Sequence, residues 1–394
     1  MRRKRVVEEP PALIRRAVPA GDVVVSEVRD PLERDAFIRF QLDHYRGDPS
    51  FVPPIVAERR DFLSDSNPFF EQARCAFFLA KRHGRVVGRI AAVVDSRYNR
   101  FHDTRDGFFG LFESENDAGV AAALVERASE WVHAIGMQRL VGPINLAFHH
   151  DCGLLVEGFD RPPSMMMPYN PQSYARLLEA CGLTKLKDLW SWELLGLSGL
   201  PPKIVRLAER VRASGSVRIR RINTANPDAD IRAIKAIYET MLKPGFGFAP
   251  VSDTEFDALV HRVRPVILLR PELSLIAEVG GEAVAFGITL PDLYPALKAA
   301  NGYLFPFGMV KLLWAVRGID RLRVLLFGIK DGYRRRGIDA LLALETFETA
   351  QRLGYASGEI GWVLEDDTMN NRIVAATGAR RFKTYRIYSR DISG

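Results

Sequence analysis

Arg334, Arg335 and Arg336, followed at once by Gly337, are the clearest chemical signal in this chain. The apolar run Val324–Ile329 before them reads as a buried strand, and Lys330–Arg336 as a basic turn. After Gly337, apolar residues at Ile338, Leu341, Leu342 and Leu344 fall at helical spacing. A strand, a cationic turn, a glycine and a helix in that order suit an anion, above all a phosphate. The first backbone N–H groups of a helix have no partner within it, and the helix dipole favours negative charge there. Glycine permits close backbone approach, and guanidinium groups add charge-assisted, often bidentate, bonds. A plain surface turn would read the same in isolation, so the surrounding elements must decide.

Those elements alternate in a regular order. After the helix comes a second apolar run, Glu359–Leu364, then Glu365-Asp366-Asp367 and Met369-Asn370-Asn371. A short helical stretch, Arg372–Thr377, ends at Gly378, and Lys383–Ile387 is strand-like. Upstream, Val217–Asn223 predicts a strand, Ile231–Leu242 a helix, and Leu273–Val279 with Ala283–Leu290 a hairpin turning at Gly280-Gly281. The amino-terminal half runs in the same order. Val23–Val28 reads as a strand, Pro31–Leu42 as a helix, and Phe77–Lys81 with Val86–Asp95 as a hairpin turning at His83-Gly84. Phe108–Phe112, Gln138–Val141 and Leu189–Leu194 read as strands, Ala118–Ile135 and Tyr174–Leu183 as helices. The class is α/β (α+β), with two tandem units, each a mixed central sheet flanked by helices. The breaker cluster Leu197-Ser-Gly-Leu-Pro-Pro202 and the basic helical stretch Lys203–Arg212 divide them. The expected organisation is a disordered basic arm over 1–20, one unit over 21–196, a linker over 197–216 and a second unit over 217–394.

The run Tyr333-Arg-Arg-Arg-Gly337-Ile-Asp-Ala340 resembles the coenzyme A pyrophosphate loop of the GNAT acyltransferases, whose pattern is Gln/Arg-x-x-Gly-x-Gly/Ala. Arg334 and Gly337 match it. Asp339 stands where the second Gly or Ala is usual, with Ala340 one place later. The order strand, phosphate loop, helix, strand, short helix, strand resembles that family too. Further segments, His44–Pro54, Asn67-Pro-Phe-Phe70, Gly107-Phe-Phe-Gly110, Gly142-Pro-Ile-Asn145 and Met165–Asn170, resemble the bacterial ceramide synthase-like branch of the superfamily. The resemblance implies transfer of a fatty acyl group from acyl-CoA to the amine of a sphingoid base such as 3-oxosphinganine. It implies coenzyme contacts from Phe327, Gly328, Ile329, Arg334, Arg335, Arg336, Gly337, Ile338, Asn370 and Asn371. In the amino-terminal unit the acidic run Glu113-Ser-Glu-Asn-Asp117 occupies the loop's place and would repel a pyrophosphate. One coenzyme site is therefore expected, in the carboxy-terminal unit, with the other unit shaping the acceptor side.

In such a transfer an amine attacks the thioester carbonyl and loses a proton, which a base near neutral pKa would assist. The candidates are Glu365, at the end of its strand, and His149, His150 or Asp151. Tyr385 and Tyr388 are candidate proton donors to the leaving thiolate. Of these Glu365, His150 and Tyr385 carry the expectation. No metal is expected, since the His-His-Asp cluster lacks a third ligand at helpful spacing.

Composition bounds the rest. A chain of 394 residues prefers two domains. Cys75, Cys152 and Cys181 have neither metal spacing nor the number for a disulfide framework, which fits a reducing cytoplasm. No apolar run is long enough to span a bilayer, and the basic start lacks an apolar signal core. The net charge of +7 suggests an anionic partner, coenzyme A or an anionic lipid surface, and no nucleic-acid motif accompanies it. The aromatic segment Leu293–Val316, broken by Pro295, Gly302, Pro306 and Gly308, reads as an acyl-tunnel lining, as a stretch on the membrane's inner face, or as an ordinary helix pair. Met165–Met167 suits an adaptable pocket or plain core. The alternatives are an N-acyltransferase acting on an amino acid or small amine, an aminoacyl-tRNA-dependent transferase, and a non-catalytic acyl-CoA-binding sensor.

Overall fold

Continuous apolar runs in the hairpin strands require cover on both faces, and the structure supplies it. The computed structural model describes residues 22–392 except 197, 198, 304 and 306. The arm expected over 1–20 lies outside the described residues. In chain order the strands are β1 (Val23–Glu27), β2 (Ala73–Arg82), β3 (Arg85–Asp95), β4 (Asp106–Ser114), β5 (Arg139–Gly142), β6 (Leu154–Glu157), β7 (Thr184–Leu195), β8 (Arg218–Arg221), β9 (Ser274–Val279), β10 (Glu282–Pro291), β11 (Arg321–Ile329), β12 (Ser357–Leu364) and β13 (Arg380–Asp391). The helices are α1 (Pro31–His44), α2 (Val56–Phe62), α3 (Ser96–His102), α4 (Ala118–Ala134), α5 (Ser173–Ala180), α6 (Pro202–Ala213), α7 (Asp228–Met241), α8 (Asp253–Leu269), α9 (Tyr294–Ala300), α10 (Gly308–Ala315), α11 (Ile338–Arg352) and α12 (Thr368–Ala376). The stretch between the two repeats holds α6, and α8 adds a long helix that the sequence reading left unassigned.

On β2 and β3 the alternation sorts residues cleanly. Phe77, Leu79, Ala91 and Val93 face α1, while Ala76, Phe78, Ile90 and Ala92 face α4 and α5. In the carboxy-terminal half α11 covers one face, and α7 and α8 cover the other.

All strands join one mixed sheet in the order β1-β2-β3-β4-β5-β13-β7-β12-β11-β10-β9-β8, with β6 against β13. The two parallel pairs, β4 with β5 and β11 with β12, occupy equivalent places in the two halves. The halves exchange their last strands. β7 pairs along β12, β13 pairs along β5, and β7 and β13 pair with each other. Neither half completes its sheet alone.

A buried ionic network holds this seam. Glu359 on β12 is fully buried. Ser191 Oγ on β7 donates to it at 2.5 Å, Arg321 lies 2.9 Å away, and Ser164 donates a further bond. Lys383 on β13, also buried, donates to the Pro162 carbonyl at 2.6 Å. A second pair, Arg97 Nη1 on α3 with the buried Glu255 Oε2 on α8 at 2.6 Å, fastens α8 to the amino-terminal half.

Candidate active site

The parallel ladder between β11 and β12 ends at Val324 and Ile360. Beyond it Leu325–Ile329 and Gly361–Leu364 diverge, so the facing edge of β11 has no strand partner there. A bulge in the β10–β11 register sits at the same point, with Val324 opposite Thr289 and Leu326 opposite Ile288. The extra residue, Leu325, breaks the two-residue alternation. Leu325 and Leu326 consequently both line one cavity of about 250 Å³.

Several elements add to the lining of that cavity. Ile231, Ile234 and Tyr238 come from α7, and Leu259, Val260 and Val263 from α8. Trp362 comes from the divergent end of β12. Phe148, His149 and His150 come from the loop after β5, in the other half of the chain. Trp362 stacks on Phe248 with ring centroids 5.1 Å apart and planes within 2°. Apolar side chains make up most of the wall, as ligand pockets commonly require. Arg262, Arg264 and Arg323 are the cations of its lining.

The polar pair inside it is His149 Nε2 and the Tyr238 hydroxyl, 2.5 Å apart. Burial, reinforced by the Arg97 cation, pushes the His149 imidazole down to about 3, so it is neutral at physiological pH. Burial also pushes the Tyr238 phenol up. His150 is held well below its ordinary value by burial, with Arg262 close by, and its Nδ1 is buried without a partner. Asp151 faces Arg59 at 3.5 Å.

The other residues singled out from the sequence divide between this site and the scaffold. Glu365 is not among the cavity residues. It accepts from Lys185 Nζ at 2.7 Å and from the Asp188 N–H at 3.0 Å, which ties β12 to β7. Tyr385 lies in the core with its hydroxyl buried and unpartnered, and burial pushes it well above the usual phenol range. Tyr388 is also core, donating to Glu179 at 3.1 Å. Of the methionine run, Met166 lines the cavity, while Met167 is core.

The basic loop lies beyond the far end of β11. Arg335 and Gly337 have left-handed backbones, with φ of 61° and 75°, and fold the chain into the start of α11. No side chain caps that helix. Arg334 pairs with Asp331 at 3.0 Å, and the Arg336 guanidinium sits over the Tyr333 ring. Arg335 and Arg336 are exposed, and Ile338 is buried. A Cβ on Gly337 would come within 3.0–3.2 Å of Val211 and Leu207, so the glycine also admits α6 against the loop. Phe327 and Ile329 pack toward α11, while Gly328 leaves room for Met241 of α7. Asn370 bonds back to Asp367. Asn371 donates to the Leu364 carbonyl at 2.7 Å and accepts from Trp192 at 3.3 Å, fixing the end of β12.

The amino-terminal half treats its equivalent features differently. Asp117 caps α4 with bonds from the Gly119 and Val120 N–H groups and pairs with Arg82 at 2.8 Å. Glu113 is buried against Tyr45, Tyr174 and Gln41. Past the β4–β5 ladder, Asn145 Oδ1 accepts the Leu111 N–H at 2.7 Å, and the Ile144 N–H donates to the Phe109 carbonyl. The chain's own backbone fills the notch that stands open in the other half. Among the described residues no group of three or more His, Cys, Asp or Glu could hold a metal ion.

A mixed sheet whose two parallel pairs each precede a divergent end, repeated in tandem, is the architecture of tandem GNAT proteins. A tandem GNAT protein from the clavulanic acid biosynthesis pathway superposes with a TM-score of 0.56 at 12% identity, covering 94% of this chain and 99% of that one. A GCN5-related N-acetyltransferase from Sphaerobacter thermophilus superposes with a TM-score of 0.51 at 17% identity, covering 95% and 97%. No family model matches the chain. Full-length relatives do. A protein named bacterial ceramide synthase, from Caulobacter vibrioides, is 33% identical over 378 residues, 94% of this chain and 98% of that protein. Protein YghO of Escherichia coli is 32% identical over 364 residues, 91% and 92%. The chain belongs to the family of these two proteins, has the tandem GNAT fold, and is an acyltransferase.

Proposed function

We propose that the protein moves a long-chain fatty acyl group from acyl-CoA to the primary amine of a sphingoid base, making an N-acyl lipid. The observation that carries this reading is the apolar cavity of about 250 Å³ where β11 and β12 part. An acetyl group has no use for a wall built from Ile231, Ile234, Leu259, Val260, Val263 and Leu326.

In this reading the carboxy-terminal unit, 217–394, holds acyl-CoA. Arg335, Arg336 and the uncapped start of α11 take the pyrophosphate. The unpaired edge of β11 beyond Val324 takes the pantetheine amides, and its N–H groups near the bulge stabilise the thioester oxyanion. The acyl chain lies between α7 and α8. The amino-terminal unit, 21–196, has its own notch filled and supplies the acceptor side through Phe148, His149 and His150.

The chemistry needs no strong base. A low-dielectric cavity favours the neutral form of the incoming amine. Its lone pair attacks the carbonyl carbon, the C–S bond breaks, and the amine's proton ends on the coenzyme sulfur, so no net proton leaves the site. Neutral His149 accepts a hydrogen bond from the amine and orients it, and the Tyr238 hydroxyl lies beside the same centre.

The test is thiol release from palmitoyl-CoA with 3-oxosphinganine as acceptor, with the product read by mass spectrometry. Wild type should release thiol only with the acceptor and yield the N-acyl product. Arg335→Glu should raise KM for acyl-CoA at least about tenfold, since hydrogen bonds to charged groups contribute about 1.5–3 kcal/mol. Acyl-CoA binding without transfer to any long-chain amine would instead favour the small-amine or sensor reading.

A further inference from the structure

The hairpin of α9 and α10 has two unlike faces. Ala296 and Ala300 of α9 are buried, and Leu297, Val316 and Ile319 pack against the apolar cluster that includes the cavity residues Ile234, Leu325 and Leu326. The turn is tight. Gly302 leaves the Pro54 carbonyl room, and a Cβ on Gly308 would collide with the Tyr303 carbonyl. Arg39 of α1 bonds the Tyr303 hydroxyl at 3.2 Å, and Lys298 bonds the Pro49 carbonyl, so the hairpin is seated firmly on the amino-terminal half.

The outer face is apolar and open. Half of the large apolar side chains that are exposed among the described residues fall between Tyr303 and Trp314. Phe305 is 89% exposed, Phe307 71% and Trp314 75%. On α10, Val310, Leu313 and Trp314 are spaced to share one helical face. A contiguous apolar patch on a soluble surface marks an interaction site.

Its charge narrows the partner. From Leu293 to Ile319 the sequence holds Lys298, Lys311 and Arg317 and no acidic residue. Lys311 and Arg317 are exposed, and among the described residues neither has an ion-pair partner. Aromatic and aliphatic side chains at the tip, cations at the flank and no acids make an interfacial anchor for an anionic bilayer. Trp and Tyr favour the headgroup level of membranes.

We propose that the outer face of the α9–α10 hairpin docks on an anionic phospholipid surface. The aromatic tip enters the headgroup layer, and Lys311 and Arg317 meet lipid phosphates. Because its inner face belongs to the same apolar cluster as the cavity wall, docking sets the cavity against the membrane from which a lipid acceptor would come. Only that last step rests on the lipid-acceptor reading.

The test is co-sedimentation of the full chain with vesicles of phosphatidylcholine alone or with phosphatidylglycerol. It contains no substrate, so it stands or falls apart from the transferase reading. Wild type should bind the phosphatidylglycerol vesicles and release in high salt. Phe307→Ser with Trp314→Ser should lower partitioning at least about tenfold, the apolar area of two inserted rings being lost. Lys311→Glu with Arg317→Glu should weaken binding to anionic but not to neutral vesicles. Unchanged thermal unfolding and acyl-CoA binding show that the variants are folded. Wild type left in the supernatant, or a double serine variant that binds as well as wild type, overturns the proposal. So does a wild-type dimer by light scattering that the serine variant turns to monomer without vesicle binding, since the patch would then join two copies.

Discussion

Replacing Val263 with Trp is the most direct way to ask what the cavity holds. Val263 lies on α8 with its side chain toward the cavity, in the apolar cluster that packs α7 and α8 on the sheet. The indole adds about seven heavy atoms, and if roughly half of that volume comes out of the acyl channel, about three methylenes lose their place. At about 0.8 kcal/mol per buried methylene the loss is about 2.4 kcal/mol, close to 60-fold in kcat/KM. A long chain that fills the cavity bears the whole of it. A shorter chain that never reached Val263 bears little. Thiol release should therefore be measured across acyl-CoA substrates from octanoyl to stearoyl, with thermal unfolding as the control for overpacking. The expected result is a preference shifted toward short chains, with octanoyl-CoA nearly unaffected. Equal loss at every length in a folded variant would refute the reasoning, because the acyl chain would then lie elsewhere.

Tyr238→Phe removes the hydroxyl 2.5 Å from His149. It should lower kcat by about tenfold to a hundredfold, with acyl-CoA affinity, read by calorimetry, unchanged; an unchanged kcat would remove the pair from the chemistry. His149 is held down to about 3 by burial, against about 6.5 in an unfolded chain. Between those values the unfolded chain binds the proton and the folded chain does not, so stability falls as pH drops below about 6.5, approaching about 1.4 kcal/mol per pH unit for this one group. Denaturant unfolding of His149→Gln should show a flatter pH dependence between about pH 6.5 and 4.5 than wild type. Glu359→Ala leaves Arg321 and two serine hydroxyls without their acceptor inside the seam. It should destabilise the chain by about 3–5 kcal/mol, seen as a lower urea midpoint, while Glu345→Ala, at a part-exposed side chain of α11 paired with Arg212, should cost less than about 1 kcal/mol.

The elements were legible where local pattern and tertiary role agree. His83-Gly84 and Gly280-Gly281 mark hairpin turns because left-handed backbone is required there, and the structure has it at all four residues. α4 shows its amphipathic stripe from Ala118 onward behind its Asp117 cap. α8 was not legible, since Pro265 lies within it and interrupts the pattern that signals a helix. The candidate site was visible in part. The Arg-Gly loop, proposed above to take the pyrophosphate, announces itself by composition, but no motif singles out Tyr238 and Trp362, because the cavity wall and the core share one apolar face. The one available signal was a tyrosine among the Ile231, Ile234 and Ile237 stripe of α7, a polar tip where a plain core helix would carry another aliphatic. Glu365 stands at the end of β12, but the Lys185 and Asp188 bonds that occupy it come from β7, a neighbour created by strand exchange that no local pattern encodes.

That exchange also bears on why two units are retained when one notch is closed. If each half kept its own last strand, β7 would lie beside β5 and β13 beside β12, and each half would complete its sheet without the other. With β7 against β12 and β13 against β5, the sheet runs unbroken through the seam, and Glu359 is buried between strands of both halves. The loop after β5 is thereby held within ring contact of the carboxy-terminal half, Phe148 lying 5.1 Å from Phe246 and His149 5.2 Å from Phe248. A closed notch is a stiffer support than an open one, because the backbone of Gly142–Leu146 is bonded into it rather than lining a cleft. Filling the amino-terminal notch therefore contributes the rigidity with which that half presents the histidine loop to the open cavity of the other.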